Sequence, residues 1–311
     1  MTDKSPRSSH VATAVAPVSH GFMKLGAALE AACAEAGLVQ TSHVRLLGTE
    51  EKWAAVEIAV AVDEAQVAEA RAALRATFSG RADIALLRTR NRKKRLLISD
   101  MDSTIIEQEC LDELAAYAGL KDEIAAITAR AMAGELDFEG ALTERVGKLD
   151  GLALTALQRC YDERITFMPG GQTLTATMRQ NNAYCLLVSG GFTFFTSRVA
   201  EAVGFQGDRG NTLIDDGTAL TGEVGRPILG REAKLDALDD AAFANGLNRL
   251  DAVAMGDGAN DLAMIEAAGL GLAVHAKPIV ADAADASIDV TDLTAALYFQ
   301  GYTDSEIVWR D

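Results

Sequence analysis

Two aspartates separated by one residue, Asp100 and Asp102, have the types and spacing that best suit catalysis. They follow the almost wholly apolar run 95–99, which is typical of a strand buried on both faces of a parallel sheet. Open α/β sheets place their ligands at the carboxyl ends of strands, so the two carboxylates would converge on one small volume. There they repel each other unless a cation lies between them or one is protonated. The pattern indicates a metal-assisted nucleophile with an acid/base partner; a solvated turn is the alternative.

An acidic loop, residues 256–261, follows a second apolar run at 253–255. Gly256 and Gly258 permit a tight turn and close approach of the backbone. Asp257, Asn260 and Asp261 supply oxygen atoms beside it. Hard oxygen ligands from few protein groups are typical of a magnesium site.

A third apolar run, 184–188, ends in Ser189, Gly190 and Gly191, and a helix is predicted from about residue 192. A hydroxyl and free amides at a helix start form a cradle for phosphate. Each loop alone could be an ordinary strand-to-helix turn. Three of them at strand carboxyl ends predict one shared phosphate-handling site.

These motifs resemble the haloacid dehalogenase superfamily of phosphotransferases, whose four signatures occur here as DxDxT at 100–104, Ser189, Lys234 and GDGxxD at 256–261. The resemblance extends to the phosphoserine phosphatases in the contexts of Glu109 and Arg145, and it covers about residues 93–300. It implies an α/β fold over residues 91–311, with a Rossmann-like core of parallel strands. A helical cap over about residues 107–168 would follow the first catalytic strand.

The resemblance also implies a mechanism. Asp100 would attack phosphorus to form an aspartyl-phosphate, and Asp102 would protonate the departing oxygen. Mg²⁺ would be held by the Asp100 and Asp257 carboxylates and by the main-chain carbonyl of Asp102, with Asp261 supporting that shell through hydrogen bonds. Ser189 and Lys234 would hold the phosphate oxygens. An isolated lysine at a helix start is usually a surface charge, so Lys234 depends on the resemblance alone.

The implied substrate is O-phospho-L-serine, which carries an ammonium and a carboxylate besides its phosphate. Glu109 would bind the ammonium and Arg145 the carboxylate. Gly190 and Asn260 would also contact the ligand, and Met132 and Phe138 would form the apolar lining of the pocket. From the residues alone, Glu109 could equally be an exposed charge and Arg145 a member of a surface ion pair.

The first third of the chain has a different pattern. Strand-like and helix-like segments alternate over residues 10–90 in the order βαββαβ, which is the ferredoxin-like arrangement. Strands are predicted at 11–18, 38–47, 53–62 and 82–87, with helices at 22–36 and 64–78. The unit is similar to an ACT domain; it could pair subunits in a homodimer or sense an amino acid. Residues 1–9 are predicted to be a mobile tail.

Composition limits the alternatives. A chain of 311 residues exceeds a usual domain of about 100–200, so two domains are expected. The net charge of −16 argues against a nucleic-acid binder, whose footprint is basic. The basic run 88–95 is the one exception, and we interpret it as a solvated linker.

The four cysteines show no paired spacing, so they are expected to be buried thiols in a reducing compartment. No apolar run reaches the 18 residues of a membrane span, and no targeting segment is recognised; the predicted location is cytoplasmic and away from membranes.

Three functions are compatible with the sequence. The first is hydrolysis of phosphoserine in serine biosynthesis. The second is hydrolysis of another small phosphomonoester, or transfer of its phosphoryl group to an acceptor such as homoserine. The third is an amino-acid-sensing protein with an idle catalytic domain, which the complete set of signature residues disfavours.

Overall fold

A computed structural model describes residues 9–48, 52–132, 135–230 and 232–310 of the chain. All but the last residue of the predicted N-terminal tail, and the side chain of Met132, therefore lie outside what is described.

The N-terminal unit is a small α/β sandwich. Its elements are β1 (His10–Pro17), α1 (Phe22–Glu35), β2 (Val39–Gln40), β3 (Arg45–Gly48), β4 (Trp53–Ala61), α2 (Val67–Phe78) and β5 (Asp83–Arg88). Strand β1 lies between β4 and β5, all antiparallel, and both β2 and β3 pair with β4. This strand order agrees with the predicted ferredoxin-like arrangement. An ACT-like identity stays a prediction.

The prediction of a single strand over 38–47 is wrong, because the structure has two short strands there. The Ser42 hydroxyl accepts a hydrogen bond from the Ala59 amide at 3.0 Å. A side chain thus replaces a main-chain acceptor of the ladder, as serine often does. The strand is interrupted at that point.

The core sheet is parallel and has β6 at its centre. Its strands are β6 (Leu96–Ser99), β7 (Tyr184–Phe192), β8 (Gly207–Asn211), β11 (Ala252–Gly256), β12 (Leu270–Val274) and β13 (Ala286–Ile288). Their order is β13-β12-β11-β6-β7-β8, and β9 (Leu213–Asp215) and β10 (Leu220–Val224) form a separate hairpin. Leu97 packs into one hydrophobic cluster and Leu96 and Ile98 into another, on opposite faces. Burial on both faces explains why β6 is continuously apolar.

Four helices follow β6 before the chain returns to the core. They are α3 (Cys110–Tyr117), α4 (Lys121–Met132), α5 (Phe138–Gly147) and α6 (Leu154–Arg164). The helices of the core are α7 (Gly171–Gln180), α8 (Thr193–Val203), α9 (Ala233–Ala244), α10 (Leu262–Ala267), α11 (Pro278–Ala283) and α12 (Ala295–Phe299). We call α3–α6 the cap.

Some core elements differ from the sequence prediction. Residue Phe192 belongs to β7 rather than to the following helix. The strand β8 was missed because its sequence, GDRGN, has no apolar pattern. It is an edge strand, and burial constrains the amino-acid sequence least at the edge of a sheet.

The N-terminal unit joins the core through the sheet itself. Strand β5 pairs with β13 at Ala85 and Ala286, so one sheet of eleven strands crosses both parts. The Asp83 carboxylate accepts hydrogen bonds from the main-chain amides of residues 289, 290 and 291 at 2.8–3.0 Å.

The prediction of a solvated linker over the basic run 88–95 is wrong for two of its residues. The Arg92 guanidinium pairs with the Glu57 carboxylate at 2.9 Å, and Lys94 is only 6% exposed. These side chains lie between the N-terminal unit and the core because the continuous sheet brings the two together. The run is part of the junction.

The four cysteines are buried, as expected. Among the helices that the structure describes, none combines the length and apolar character needed to cross a membrane.

Candidate active site

Three neighbouring strands bring the predicted site residues to one edge of the sheet. Strand β6 lies between β7 and β11, so their carboxyl ends place Asp100, Ser189 and Asp257 side by side. All three line a cavity of about 450 Å³. The predicted residues Asp102, Glu109, Arg145, Gly190 and Asn260 line it as well.

Lys234 lies beneath this cavity in the first turn of α9, with a side chain only 4% exposed. Its Nζ lies 2.7 Å from Asp100 Oδ1 and 2.5 Å from Asp261 Oδ1. Burial opposes the charge on this lysine, but the two carboxylates outweigh that effect and raise its pKa. The ammonium is therefore a fixed positive charge beside Asp100. Surface exposure, the common state of an isolated lysine, is excluded here.

Asp261 is fully buried and fixes the acidic loop. Its Oδ1 pairs with Lys234, and its Oδ2 accepts a hydrogen bond from the Gly258 amide at 3.0 Å. A Cβ on Gly256 would lie 2.4 Å from the Asp261 carboxyl carbon, so no side chain fits there. The close backbone approach expected of this glycine is confirmed.

Three carboxylates form a compact acidic cluster. Asp100, Asp257 and Asp261 each offer an oxygen within 4.8 Å of the others. Burial, followed by repulsion from Asp100, raises the pKa of Asp257 to about 6 and that of Asp261 to about 7. One lysine does not balance three carboxylates. The cluster thus suits a hard divalent cation, which favours oxygen ligands and tolerates remaining water.

Asp102 occupies a different environment from Asp100. Its Oδ1 accepts a hydrogen bond from the Cys110 amide at 2.9 Å, and its Oδ2 accepts one from Ser189 Oγ at 3.1 Å. Burial, then the charges of Glu109 and Asp100, raise the pKa of Asp102 to about 7. A substantial fraction of this carboxyl is therefore protonated near neutral pH.

Ser189 is 2% exposed and links two parts of the site. Its hydroxyl donates to Asp102 and accepts a hydrogen bond from the Gly191 amide at 2.8 Å. The amide of Gly191 is thus bonded to the serine hydroxyl, and the phosphate cradle stays a prediction.

The cap contributes the opposite wall of the cavity. Glu109 stands at the start of α3 and accepts a hydrogen bond from Ser103 Oγ at 2.9 Å. Ser103 has a positive φ of 55°, an uncommon backbone conformation for serine. The pKa of Glu109 is raised, chiefly because the surrounding protein partly desolvates the carboxylate, and further by repulsion from Asp100 and Asp112. The hydrogen bond from Ser103 and the charge of Lys277 partly oppose this shift.

Arg145 projects from α5 into the same cavity. Its Nε donates to the Ala141 carbonyl at 3.2 Å, and no carboxylate of the described residues lies within 4.0 Å of the guanidinium. Burial lowers the pKa of Arg145, an effect that Asp112 and Glu109 partly oppose. The alternative of a surface ion pair is therefore not what the structure shows.

Lys277 is the most informative residue that the sequence analysis missed. It lines the cavity at the start of α11, and its amide donates to the Asp257 carbonyl at 3.2 Å. Its positive charge acts against the raised pKa values of Asp257 and Glu109. The available signal was its position, three residues past the end of β12 at the same edge of the sheet.

The arrangement combines the buried carboxylate of Asp100, a partly protonated carboxyl and fixed cations around one small cavity. Such a set can attack an anionic electrophile, neutralise its charge and deliver a proton to the departing group. Phosphoryl transfer has these requirements.

Comparisons with known proteins agree with this chemistry. The sequence profile of the haloacid dehalogenase-like hydrolases matches residues 97–266. The phosphoserine phosphatase of Archaeoglobus fulgidus is 42% identical over 205 residues, 66% of this chain; the match spans only 59% of that relative's length.

Two solved structures are also similar. A probable phosphoserine phosphatase from Vibrio cholerae, in unliganded form, has a TM-score of 0.74 and 28% identity over 97% of this chain and 89% of its own. A phospho-aspartyl intermediate analogue of phosphoserine phosphatase has a TM-score of 0.61 and 38% identity over 67% of this chain and 99% of its own.

Proposed function

The chain belongs to the haloacid dehalogenase-like hydrolases, and from this membership we propose that it hydrolyses O-phospho-L-serine to L-serine and phosphate. The similar proteins named as phosphoserine phosphatases support this substrate. The observation that carries the proposal is the placement of Asp100 and Asp102 in one cavity with Glu109 and Arg145.

Asp100 is the proposed nucleophile. One of its oxygens, Oδ1, is held by Lys234 Nζ at 2.7 Å and by the Met101 amide at 2.8 Å. These bonds orient the carboxylate towards the cavity. Attack on phosphorus would form an aspartyl-phosphate while the bond from phosphorus to the seryl oxygen breaks. The similar structure described as a phospho-aspartyl intermediate analogue supports this route.

Asp102 is the proposed acid and base. Its raised pKa supplies a protonated carboxyl near pH 7, which can protonate the departing seryl oxygen. The resulting carboxylate can then take a proton from the water that hydrolyses the aspartyl-phosphate. Ser189 Oγ and Lys234 Nζ are the proposed donors to phosphate oxygens. In the structure the serine donates to Asp102 instead, so its hydroxyl would have to turn to reach a phosphate oxygen.

The acidic cluster fits Mg²⁺, which is the proposed cofactor. Asp100, Asp257 and the Asp102 carbonyl would hold the ion, because both oxygens of Asp261 already bond Lys234 and Gly258. The bound ion would neutralise charge on the transferring phosphoryl group. Chelation should silence the enzyme and added Mg²⁺ should restore it, whereas Ca²⁺ should inhibit because its looser coordination misplaces Asp100. Full activity in excess chelator would contradict this assignment.

The cap would recognise the serine part of the substrate. Glu109 would bind the ammonium, and the guanidinium of Arg145 would bind the carboxylate through paired hydrogen bonds. Phe138 also lines the cavity, and its ring lies 3.4 Å from the position of a Cβ on Gly190. Gly190 and Asn260 would complete the contacts to the ligand.

A substrate panel with Mg²⁺ tests the proposal. Phosphoserine should be hydrolysed with far higher kcat/KM than sugar phosphates, and homoserine should not increase its consumption. Preference for a sugar phosphate would identify a different phosphatase of the same family. Consumption that depends on homoserine would identify a phosphotransferase. No turnover of any ester would favour a regulatory protein.

A role in serine biosynthesis, a cytoplasmic location and a homodimer through the N-terminal unit stay predictions from the sequence. Size-exclusion chromatography with light scattering would test the dimer.

A further inference from the structure

A second cavity, of about 390 Å³, lies between the N-terminal unit and the core. Its wall includes residues from α2, from the end of β5 and from the turns before β6 and β12. The two turns lead into the amino ends of core strands β6 and β12, whereas the active site lies at the carboxyl ends of the core strands. The two cavities are therefore on opposite edges of the sheet, and neither includes a residue of the other.

The charge of this junction cavity is opposite to that of the whole chain. Five cationic side chains line it, against two acidic ones, in a protein with a net charge of −16. The cations are Arg71, Arg88, Arg90, Arg92 and Lys94, and the acids are Glu64 and Asp285. Burial, together with Arg88 and Arg71, lowers the pKa of His10 and outweighs the opposing effect of Glu64.

Three of the arginines already have carboxylate partners. Arg88 pairs with Glu64, Arg71 with Asp285 at 2.9 Å, and Arg92 with Glu57 at 2.9 Å. Both acids of the wall are used in these pairs. For Arg90 and Lys94, no carboxylate of the described residues lies within 4.0 Å.

Lys94 is the most unusual of these groups. It is 6% exposed, and its Nζ donates a single hydrogen bond, to the Leu250 carbonyl at 2.8 Å. An ammonium has three donors, and burial lowers the pKa of Lys94, an effect that Asp285 and Asp251 only partly oppose. Arg71 Nε is also buried without an acceptor among the described residues. Two residues with unused donors, Lys94 and Arg71, thus line the same cavity.

We propose that this junction cavity binds a small anion bearing a phosphate or carboxylate group, at a site separate from the active site. Lys94 and Arg90 supply the charge, and the volume suits a small metabolite rather than a macromolecule. The main chain of Asn91 and the turn at Gly269 border the same space. The inference does not depend on the proposed phosphatase activity.

Backbone amide resonances of the isotopically labelled full chain provide the test, because they separate the two sites. Inorganic phosphate and malonate are titrated in separate experiments. The amides of Asn91, Lys94 and Gly269 should shift saturably with at least one anion, independently of those of Ser189 and Gly190. Saturation by phosphate alone identifies a phosphate group as the ligand feature, and saturation by malonate alone identifies a carboxylate.

Lys94→Met should weaken this binding at least about tenfold, since it removes a buried charge. Arg90→Met, at an exposed position that does not threaten folding, should weaken it about two- to fivefold. Arg95→Met is the matched control: Arg95 is the exposed neighbour, loses the same charge and does not line the cavity. Absence of saturable shifts at the junction overturns the proposal, and so do unchanged affinities in both test variants relative to the control.

Discussion

The active-site cavity has two contrasting sides. We call Asp100, Asp102, Lys234, Asp257 and Asp261 its floor, and Glu109 and Arg145 its cap wall. The two sides differ in how many hydrogen bonds and ion pairs their charged side chains form within the protein. On the floor, Lys234 contacts two carboxylates, and Asp261 has a partner for each oxygen. On the cap wall, Arg145 donates to one main-chain carbonyl, and Glu109 accepts one hydrogen bond from Ser103. The floor is organised before a ligand arrives. The cap wall has bonding capacity that a ligand must complete.

Under the proposed function, the floor carries out the chemical steps and the cap wall selects the substrate. A floor that needs no rearrangement can stabilise charge as it develops during the reaction. A wall with an unpaired guanidinium gains most from a substrate that brings its own carboxylate. Substitutions on the floor should therefore affect every phosphate ester alike, whereas those on the cap should affect only esters with amino-acid groups.

The largest expected effect is that of Asp100→Asn. An amide cannot attack phosphorus, so kcat should fall by at least about 10⁴-fold for every substrate. The lost ion pair with Lys234 is the risk to stability, so thermal melting should accompany the assay. In the parent protein, borohydride trapping should label Asp100. Near-normal turnover by the variant would refute the covalent route.

Asp102→Asn should show that the two floor carboxylates have distinct roles. Loss of the acid should cost about 10²- to 10⁴-fold with phosphoserine, and less with nitrophenyl phosphate, whose leaving group needs no proton. The measurement is the ratio of kcat values for the two substrates. Equal losses would count against Asp102 as the acid.

Arg145→Ala tests the cap directly. Losing the charged partner of the substrate carboxylate should cost about 2–5 kcal/mol in kcat/KM for phosphoserine, or tens- to thousands-fold. Nitrophenyl phosphate should change only several-fold. Lys148→Ala is a matched control, because Lys148 is an exposed cation that pairs with Glu123 outside the cavity. Parallel losses for both substrates would assign Arg145 to the phosphate or to the cap structure.

The smallest effect concerns stability of the metal-free floor. The pKa values of Asp102, Asp257 and Asp261, at about 6–7, lie above the ordinary value near 4. Between about pH 4 and about pH 7, the folded state therefore binds more protons than the unfolded state. The contribution of these carboxyls to the free energy of unfolding falls as the pH rises through this range. In chelator, Asp257→Asn should therefore raise Tm by about 2–4 °C at pH 8 and less at pH 5.5.

Mg²⁺ offers the complementary measurement. It should raise the Tm of the parent protein more at pH 8 than at pH 5.5, because protonated carboxyls bind the ion poorly. A gain that is larger at low pH would contradict the acidic cluster as the binding site.

Parts of the floor could be predicted from the sequence because burial constrains them strongly, whereas Lys234 was assigned only through the family resemblance. The continuously apolar strand β6 and the close backbone approach at Gly256 leave a recognisable pattern in the sequence. Lys277 left no such pattern, because a lone lysine is common on surfaces and its position depends on strand order. The burial of Lys94 was missed for the same reason. Its burial follows from the pairing of β5 with β13, a contact between distant parts of the chain.

Sheet continuity also bears on how the chain can be divided. A fragment beginning near residue 90 would lose β5, leaving β13 as an open edge with unbonded main-chain groups. It would also lose Asp83, the acceptor for three consecutive amides after that strand. An exposed edge of this kind is a template for pairing with other chains. Strand β5 of the N-terminal unit thus covers an edge of the core sheet that would otherwise be open.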